Sequence, residues 1–522
     1  MLLIDLLLHH SRTKPSSIAL VDGNRSLSYS ELLTNVLDLS KALMGLGIAP
    51  GDRIATLAPP CMDYWVCFLA TATIGAEWIG LNPRYQRREY KFYIEDALPK
   101  IIFTFSPYEE RDYEKELKLV IAASDAATQT EVMVFGGEHC DIQKTINNLK
   151  QLGEPVSDET LESRIRSVDE RDTAAIVYTS GSTGKPKGAM LSHYAVLSCA
   201  QAAVQWLGDS LEKVITAFPI NHVGSLNNIC MNVFTFGGTI YFLKTFEIEA
   251  IIELYKSAGI THTGHNQTTL QMLLDSPDFS LETMSACKVL VHGGSKTDMA
   301  TLDNFRSLNT NIASVYAQTE SCGYVLKTDF SSSLEIMANT IGKPAPGVEA
   351  RIVKDQTNAI VKDGEIGELQ LKFEWVFSGY LNNPEATRLT FTADGYLRTG
   401  DLCLIRPDGN FELVDRIKNA FKSGGYDIYP AEVEQVLHEH PKVRMAAIIG
   451  VNDAKFGSCG YAFVMPHKDI DLREAELNSY LSKEIAGYKI PKYFDVVETL
   501  PFLPNTKIDR QSLINLAKQK TG

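Results

Sequence analysis

The stretch that decides the fold is Tyr178-Thr-Ser-Gly-Ser-Thr-Gly-Lys-Pro-Lys-Gly188, which follows a short apolar run at Ala174–Val177. It contains four serine or threonine hydroxyls, three glycines and two lysines. Glycines let backbone N–H groups approach a ligand, hydroxyls donate hydrogen bonds and lysines supply charge, a combination that suits polyphosphate. The spacing is not that of a Walker A loop, because Thr179 and Pro186 stand where Gly and Ser or Thr are required. We predict an anion-binding loop between a buried strand and a helix opening near Ser192; a plain polar surface loop is the competing interpretation.

The composition is that of an average soluble globular protein of enzyme size. The chain has 522 residues, 44% hydrophobic and 22% charged, which excludes wholesale disorder. Its 50 Lys and Arg against 64 Asp and Glu give a formal charge of −14. This balance argues against a nucleic-acid binder, which needs a basic face. The nine cysteines are scattered singly, without zinc-site spacing, as expected for buried thiols in a reducing compartment.

The sequence predicts a cytoplasmic protein with no membrane span. The leading apolar run Leu2–Leu8 contains Asp5 and lacks a basic start, so we interpret it as a short amphipathic helix. The most apolar long stretch, Phe68–Leu81, is too short to cross a bilayer.

Short apolar runs alternate with stretches of helical periodicity over most of the chain. Strands are predicted at Arg53–Leu57, Ile101–Phe105, Val132–Phe135, Ala174–Thr179, Thr239–Phe242 and Val289–Val291, and helices at Tyr29–Leu46 and Tyr64–Thr73. Such alternation favours parallel sheets with helices packed on their faces. Turn-rich segments from about Gly342 indicate a β-rich section, and a compact α+β section follows. The predicted fold class is α/β: a large N-terminal domain (1–415) of parallel and mixed sheets with packed helices and a β-rich subdomain, plus a small α+β C-terminal domain (416–522).

Six further motifs follow the loop along the chain. They are Phe218-Pro-Ile-Asn-His222, Gly293-Gly-Ser295, Tyr316-Ala-Gln-Thr-Glu320, Tyr396-Leu-Arg-Thr-Gly-Asp401, the group Asp415-Arg416, Lys422-Ser-Gly-Gly425 and Tyr429-Pro-Ala-Glu-Val-Glu434, and finally Pro504-Asn-Thr-Lys507. In this order, over nearly the whole chain, they resemble the signatures of the adenylate-forming superfamily. That superfamily includes acyl-CoA synthetases, peptide-synthetase adenylation domains and luciferases. The resemblance implies that a carboxylate and ATP form an acyl adenylate with release of pyrophosphate, that a thiol then takes the acyl group, and that the small domain is mobile.

The resemblance also implies a set of ATP- and AMP-binding residues. They are Thr179, Ser180, Gly181, Ser182, Thr183, Gly184, Lys185, Lys187, Gly293, Gly294, Ser295, Tyr316, Ala317, Gln318, Thr319, Asp401, Arg416 and Lys507. Glu320, with Thr183 as a second contributor, would hold Mg²⁺, which prefers hard oxygen ligands. Lys507 would stabilise the charge that develops as the carboxylate meets the α-phosphate. The implied catalytic residues are therefore Lys507, Glu320 and Thr183.

Three further sets follow from the resemblance. The acyl pocket would be lined by His222, Val223, Gly224 and Ala317, and the path of CoA by Lys422, Ser423, Gly424 and Gly425. The two small glycines of that path would let the thin pantetheine arm pass. Lys418 occupies the hinge position around which the small domain rotates in this superfamily.

The acid is predicted to be short, cyclic or aromatic rather than a long fatty acid. The methyl group of Ala317 narrows a slot that the superfamily's usual glycine leaves open. Two polar stretches, Asn227-Asn228 and His265-Asn-Gln267, replace apolar lining if they face the pocket. Because each buried CH₂ contributes about 0.8 kcal/mol, a long alkyl chain without an apolar tunnel loses most of its binding energy.

Four residues depart from the superfamily pattern. Thr506 replaces a glycine before the catalytic lysine, and Ala317 replaces the glycine of the Tyr316–Glu320 motif. Asp415 replaces a glycine and is expected to pair with Arg416, and Asn419 replaces an acidic residue after the hinge. None of them removes a catalytic group, so they bear on rate and substrate rather than on reaction class.

The leading hypothesis is an ATP- and Mg²⁺-dependent carboxylic acid–CoA ligase, a monomer or homodimer with small-molecule partners only. One alternative is a free-standing adenylation enzyme that loads the phosphopantetheine of a separate carrier protein. Another is a catalytically degenerate nucleotide-binding protein. Such decay usually removes the metal carboxylate or the lysine, and this sequence keeps both Glu320 and Lys507.

Overall fold

The computed structural model describes residues 1–126, 129–136, 142–179, 186–218, 220–294, 296–308, 310–354, 359–423, 426–453, 455–503 and 507–521. The chain forms two compact units. Unit 1 comprises Met1–Glu349 and Lys372–Leu397, and unit 2 comprises Ala350–Leu371 and Arg398–Gly522. Unit 2 thus includes part of the turn-rich section, and the predicted boundary between residues 415 and 416 stays a prediction.

The strands of the described residues are, in chain order, β1 (Ile18–Asp22), β2 (Arg25–Ser28), β3 (Arg53–Leu57), β4 (Glu77–Leu81), β5 (Ile101–Phe105), β6 (Glu131–Gly136), β7 (Thr173–Thr179), β8 (Lys187–Ser192), β9 (Lys213–Thr216), β10 (Thr239–Phe242), β11 (His262–His265), β12 (Val289–Gly293), β13 (Asn311–Gln318), β14 (Gly323–Lys327), β15 (Lys343–Pro344), β16 (Glu349–Val353), β17 (Gly367–Lys372), β18 (Gly379–Tyr380), β19 (Leu397–Ile405), β20 (Phe411–Arg416), β21 (Phe421–Ser423), β22 (Tyr426–Ile428), β23 (Val443–Asp453), β24 (Gly457–Pro466) and β25 (Tyr493–Val496).

The helices are α1 (Leu3–Thr13), α2 (Tyr29–Gly45), α3 (Met62–Thr73), α4 (Arg87–Ala97), α5 (Tyr113–Ala122), α6 (Ile142–Leu152), α7 (Asp158–Ser167), α8 (His193–Leu207), α9 (Val223–Ser225), α10 (Asn232–Phe236), α11 (Ile248–Ala258), α12 (Gln267–Asp275), α13 (Met299–Phe305), α14 (Leu334–Asn339), α15 (Pro384–Thr390), α16 (Pro430–His438), α17 (Glu474–Glu484) and α18 (Arg510–Thr521). A π-helical turn, Leu226–Met231, joins α9 to α10, and short 3₁₀ turns lie at Gly208–Glu212, Leu281–Met284 and Gly487–Lys489.

Unit 1 is built on two large sheets. One has nine strands in the order β15-β14-β13-β12-β11-β9-β10-β1-β2. Its neighbouring strands β13, β12, β11, β9, β10 and β1 are parallel to one another. The other has seven strands in the order β18-β8-β7-β4-β3-β5-β6, with β8 antiparallel to β7. Every residue of β5 is buried, which explains why four of its five residues, Ile-Ile-Phe-Thr-Phe, are apolar instead of alternating with polar ones.

Unit 2 contains a four-stranded sheet, β16-β17-β19-β20, a hairpin, β21-β22, and a three-stranded sheet, β23-β24-β25. Alternate residues of β23 serve two apolar clusters. Ile448 packs in one cluster with Leu437 of α16, and Ile449 packs in the other with Leu513 of α18. Because successive side chains of a strand point to opposite faces, this alternation covers both faces of the small sheet.

The predicted α/β fold class is confirmed, and three predicted strands (β3, β5 and β10) have the expected bounds. One element differs from expectation: strand β8 lies between the predicted loop and α8, and it pairs antiparallel with β7. The chain therefore forms a β-hairpin there before the helix begins. Ser192 then caps α8 by accepting the N–H of Ala195. Cys140 lies outside the described residues, and the other eight cysteines are buried and free of disulfides. None of the helices in the described part of the chain is long and apolar enough to cross a membrane.

Candidate active site

One edge of the nine-stranded sheet gathers several of the sequence motifs. Strands β9, β11, β12 and β13 are parallel, so their carboxyl ends lie along the same edge. His222 follows β9, Gly293 ends β12, and Tyr316 and Ala317 lie at the end of β13. Open α/β sheets bind ligands outside the carboxyl ends of their strands. This edge of unit 1 is therefore the candidate nucleotide and acid site.

The segment that carries His222 is held tightly between the two sheets. His222 caps α9, its Nδ1 accepting the N–H of Gly224 at 3.1 Å, while Val223 is buried. Next to it, Asn221 approaches Gly80 of β4 so closely that a Cβ on Gly80 would lie 2.7 Å from the Asn221 side chain. The predicted acyl-pocket segment therefore packs against β4 of the seven-stranded sheet.

Close packing explains the glycine at the end of β12, Gly293, which lies opposite Val315 of β13. A Cβ on Gly293 would lie 2.6 Å from the carbonyl oxygen of Val315, so β12 and β13 can pair here only with glycine. Gly294 has φ +78°, a left-handed conformation that suits glycine. Tyr316 is buried, Ala317 and Gln318 are half-buried, and Thr319 is buried. Ser295 lies outside the described residues.

Glu320, the predicted metal ligand, lies in the turn between β13 and β14. Its Oε1 accepts a hydrogen bond of 2.5 Å from the hydroxyl of Tyr380, and its carbonyl accepts the N–H of Phe377 at 3.0 Å. Burial, with the charge of Glu320, raises the pKa of Tyr380 well above its ordinary value, so Tyr380 is a neutral donor. The carboxylate is half-buried and its orientation is fixed by this bond.

Lys187 lies on the other side of the same tyrosine. Its Nζ lies 4.2 Å from the centre of the Tyr380 ring, a cation–π distance. Thr179 faces Lys187 across the β7–β8 hairpin, with its Oγ1 3.5 Å from the Lys187 carbonyl oxygen. The hairpin thus presents Thr179 and Lys187 at the base of the predicted phosphate loop. The other loop residues, Ser180, Gly181, Ser182, Thr183, Gly184 and Lys185, lie outside the described residues.

Unit 2 brings together a second group of predicted residues. Asp401 and Arg416 are opposite each other on β19 and β20, and the Nε of Arg416 lies 3.0 Å from Asp401 Oδ1. Lys507 follows in the C-terminal part of the same unit, where its carbonyl accepts the N–H of Leu503 at 2.7 Å. Three cations, Arg416, Lys418 and Lys507, therefore gather near the Asp401 carboxylate.

These neighbours alter the protonation of Lys507. Desolvation of the ammonium group and repulsion by Arg416 and Lys418 lower the pKa of Lys507 to about 8, while Asp401 opposes the effect. A cationic group with a lowered pKa in a cluster of this kind is typical of a site that binds an anion.

Asp415 is not bonded as the sequence predicted. Its Oδ1 accepts the backbone N–H of Arg416 at 2.6 Å and the amide of Asn419 at 3.0 Å. Its Oδ2 accepts the N–H of Ala431, in the first turn of α16, at 2.8 Å. The Arg416 guanidinium forms an ion pair with Asp401 instead. Asp415 therefore ties the β20 end to the start of α16.

The predicted CoA path begins on the β21–β22 hairpin, where Lys422 is exposed and Ser423 pairs with Tyr426. Gly424 and Gly425, which connect the two strands, lie outside the described residues.

The predicted polar lining of the acyl pocket is accounted for by bonds inside the fold. His265 Nε2 lies 2.7 Å from both the Tyr255 and Thr263 hydroxyls, and Gln267 donates to Thr301 Oγ1 at 2.9 Å. The side-chain amide of Asn227 donates to the backbone carbonyl of Cys322. Because His265 and Gln267 are bonded within the fold, they no longer argue for a polar acyl pocket. The prediction of a narrow pocket therefore depends on Ala317.

Tyr380 is the functional candidate that the sequence analysis did not single out. It lies in the turn-rich section that begins near Gly342, within the stretch Ser378-Gly-Tyr-Leu-Asn-Asn-Pro384. A large aromatic residue inside such a run was the available signal.

Two family models match the chain. Residues 7–381 match the model described as AMP-binding enzyme, and residues 432–507 match the AMP-binding enzyme C-terminal domain. A probable CoA ligase of Humulus lupulus, CCL5, is 30% identical over 98% of this chain and 92% of its own length.

Solved structures resemble the whole chain as well. ATP-bound MatB of Rhodopseudomonas palustris is 26% identical, has a TM-score of 0.86 and covers 100% of both chains. The o-succinylbenzoate CoA synthetase of Bacillus subtilis, in complex with the acyl-adenylate intermediate OSB-AMP, is 25% identical, with a TM-score of 0.82 and 97% coverage of each chain. These matches confirm the resemblance that the ordered motifs indicated.

Proposed function

Because the chain belongs to the AMP-binding enzyme family, we propose that it is an AMP-forming carboxylic acid–CoA ligase. In the first half-reaction a carboxylate oxygen attacks the α-phosphate of ATP, giving acyl-AMP and pyrophosphate. In the second, the CoA thiolate attacks the acyl carbon and AMP leaves with its oxygen. The observation that carries the proposal is the end-to-end similarity to a probable CoA ligase, in a chain that keeps the groups needed to bind a polyphosphate and a carboxylate.

Adenylation brings two anions together, so the chain must supply positive charge and hydrogen-bond donors. Lys187, at the base of the phosphate loop, would bind the phosphate tail, and Arg416 would bind the ribose–phosphate region. Lys507 would contact the α-phosphate and the attacking carboxylate as charge builds between them. Preorganised charges of this kind supply much of the rate enhancement of enzymes.

Asp401 and Tyr316 would hold the nucleoside. A single carboxylate accepts hydrogen bonds from both ribose hydroxyls, and Asp401 is almost fully buried with its orientation set by Arg416. The flat ring of Tyr316, at the end of β13, would stack on the adenine.

Glu320 fits a magnesium site. Its carboxylate is a hard oxygen ligand, half-buried and oriented by Tyr380, and Mg²⁺ in nucleotide sites is usually held by one or two carboxylates and substrate phosphates. Thr183 is proposed as a second ligand. When bound, the ion would neutralise phosphate charge as pyrophosphate leaves.

For the second half-reaction we propose that Lys422, Ser423, Gly424 and Gly425 form the path of the pantetheine arm, with Lys418 as the hinge residue. The acid is proposed to be short, cyclic or aromatic, because Ala317 is half-buried at the carboxyl end of β13. A relative named for an aromatic acid, o-succinylbenzoate, supports that class. We propose a cytoplasmic location.

The test is a panel of carboxylic acids in a pyrophosphate-release assay, run with and without CoA, with acyl-CoA identified by mass spectrometry. A CoA ligase forms acyl-CoA and turns over repeatedly only with CoA. Acyl transfer to a carrier protein but not to CoA would indicate a carrier-loading enzyme. ATP binding without pyrophosphate release for any acid would indicate a catalytically degenerate protein.

A further inference from the structure

Tyr380 lies between two predicted substrate-binding groups and is itself firmly anchored. Its backbone pairs with Ala189 on β8, the strand that begins at Lys187. Its N–H donates to Thr387 Oγ1 at 2.8 Å, and its ring packs on Phe377 with ring centres 4.9 Å apart. The position of the ring is therefore set by β18 and its neighbours, without help from the hydroxyl.

The hydroxyl of Tyr380 fixes the Glu320 carboxylate. A carboxylate has about four lone-pair sites, so the hydrogen bond that Oε1 accepts from Tyr380 leaves capacity for a cation. It also removes rotational freedom that the carboxylate would otherwise lose on binding a metal. Mutation of a partner that orients a metal ligand in this way typically weakens metal affinity about 10- to 100-fold.

The ring of Tyr380 holds Lys187. The Lys187 ammonium lies 4.2 Å from the ring centre, where the negative face of the ring attracts it. Because β18 and β8 are hydrogen-bonded neighbours, the ring and the lysine belong to one rigid pair of strands. A single side chain thus touches the carboxylate that would hold a cation and the ammonium that would hold a phosphate.

We propose that Tyr380 is a positioning residue that holds Glu320 and Lys187 at a fixed separation, matched to a divalent cation bound to the phosphates of ATP. Its hydroxyl acts on the cation through Glu320, and its ring acts on the phosphates through Lys187. The inference rests on the proposed function, since it assumes ATP and Mg²⁺ as ligands.

The two contacts are separable by mutation. Tyr380→Phe keeps the ring and removes the hydroxyl, so the Mg²⁺ concentration for half-maximal ATP binding should rise about tenfold. ATP binding in EDTA, measured by calorimetry on the full chain, should change less than about twofold because Lys187 keeps its ring. Tyr380→Leu removes both contacts and should also weaken ATP binding in EDTA.

The chain offers a matched control in Tyr194. Its hydroxyl donates to Glu374 Oε2 at 2.7 Å, and the guanidinium of Arg171 lies 3.9 Å from its ring centre. Tyr194→Phe therefore removes the same kind of bond from a tyrosine with the same kind of cationic neighbour, outside the site. It should leave the Mg²⁺ requirement, ATP binding and pyrophosphate release unchanged.

A double-mutant cycle tests whether the hydroxyl acts through Glu320. In a Glu320→Gln background, Tyr380→Phe should cause no further shift in the Mg²⁺ requirement, because the charge that it orients is gone. A full additional shift in that background, or a Tyr380→Phe variant whose Mg²⁺ requirement equals the wild type, overturns the proposal. These outcomes leave the proposed function standing if the wild type still forms acyl-CoA. A wild type that binds ATP with no dependence on Mg²⁺ also overturns this proposal, whereas the proposed function fails only if no acid of the panel gives acyl-CoA.

Discussion

Lys507 gives the sharpest test of the proposed chemistry, because its charge should control adenylation over a defined pH interval. With a pKa of about 8, about 90% of the free enzyme carries the charge at pH 7 and about 10% at pH 9. If the protonated form is required, kcat/KM for pyrophosphate release should fall about tenfold between these pH values. Stopped assays across pH 6.5–9.5 at fixed ionic strength would measure this.

Loss of activity through unfolding is distinguishable by the sign of the linkage. The folded pKa of Lys507 lies below its ordinary value of 10.5, so the unfolded chain binds more protons between pH 8 and 10.5. The contribution of Lys507 to the free energy of unfolding therefore rises with pH over that interval. Activity should fall while this contribution rises, and a thermal midpoint that fell in parallel with activity would point to unfolding instead.

Substitutions complete the test. Lys507→Ala should lower adenylation by about two to three decades, the effect of losing about 3–4 kcal/mol of transition-state stabilisation. It should largely spare thioester formation from a supplied acyl adenylate. Lys507→Arg, whose guanidinium stays charged, should lose the descending limb near pH 8. Equal loss of both half-reactions in Lys507→Ala, or an unmoved limb in Lys507→Arg, would refute this role for the lysine.

Three further outcomes are expected. Glu320→Gln keeps the side-chain volume and the acceptor for Tyr380 but removes the charge, so the Mg²⁺ concentration needed for pyrophosphate release should rise about tenfold or more while the thermal midpoint of unfolding moves little. A lower midpoint with an unchanged Mg²⁺ titration would make Glu320 a packing residue. Arg510→Met removes the cation that lies 2.7 Å from the buried carboxylate of Glu434, whose pKa is raised by burial. The free energy of unfolding, measured in urea, should fall by about 3–5 kcal/mol, and Glu434→Leu in the same chain should recover much of it. A fall below about 1 kcal/mol would contradict the argument. Ala317→Gly should shift kcat/KM towards longer acids in a chain-length series, and an unmoved profile, or a wild type that already prefers twelve carbons, would contradict the narrow pocket.

The sequence predicted the strands of the two large sheets well because most of their residues are apolar and buried. Ile101–Phe105 is the clearest case, since four of its five residues are apolar and all five are buried. Strand β8 was missed for the opposite reason. Its sequence, Lys-Gly-Ala-Met-Leu-Ser, begins with a charge and a glycine, and its pairing with β7 and β18 is visible only once all three strands are in place.

The site was predicted as a set of residues but not as a network. Motif order was enough to indicate Glu320 and Lys507, because their residue types and neighbours carry the chemistry. The hydroxyl of Tyr380 reaches Glu320 across 60 residues of sequence, and no local pattern encodes such a contact. The same holds for His265 and Gln267, because their hydrogen bonds to Tyr255 and Thr301 are visible only in the folded chain.

Asp415 and Asn419 show how two departures from the superfamily pattern can be a single change. Asp415 Oδ1 lies 3.0 Å from the Asn419 amide and also accepts the N–H of Arg416. An acidic residue at 419, the usual type there, would place a second carboxylate against the first, and like charges at that distance disfavour ionisation of one of them. An amide at 419 donates instead, so Asn419 pairs with Asp415 without this repulsion. Because this bonding uses the Asp415 side chain and the Arg416 backbone, it leaves the Arg416 guanidinium to its ion pair with Asp401, and the reaction class is unaffected.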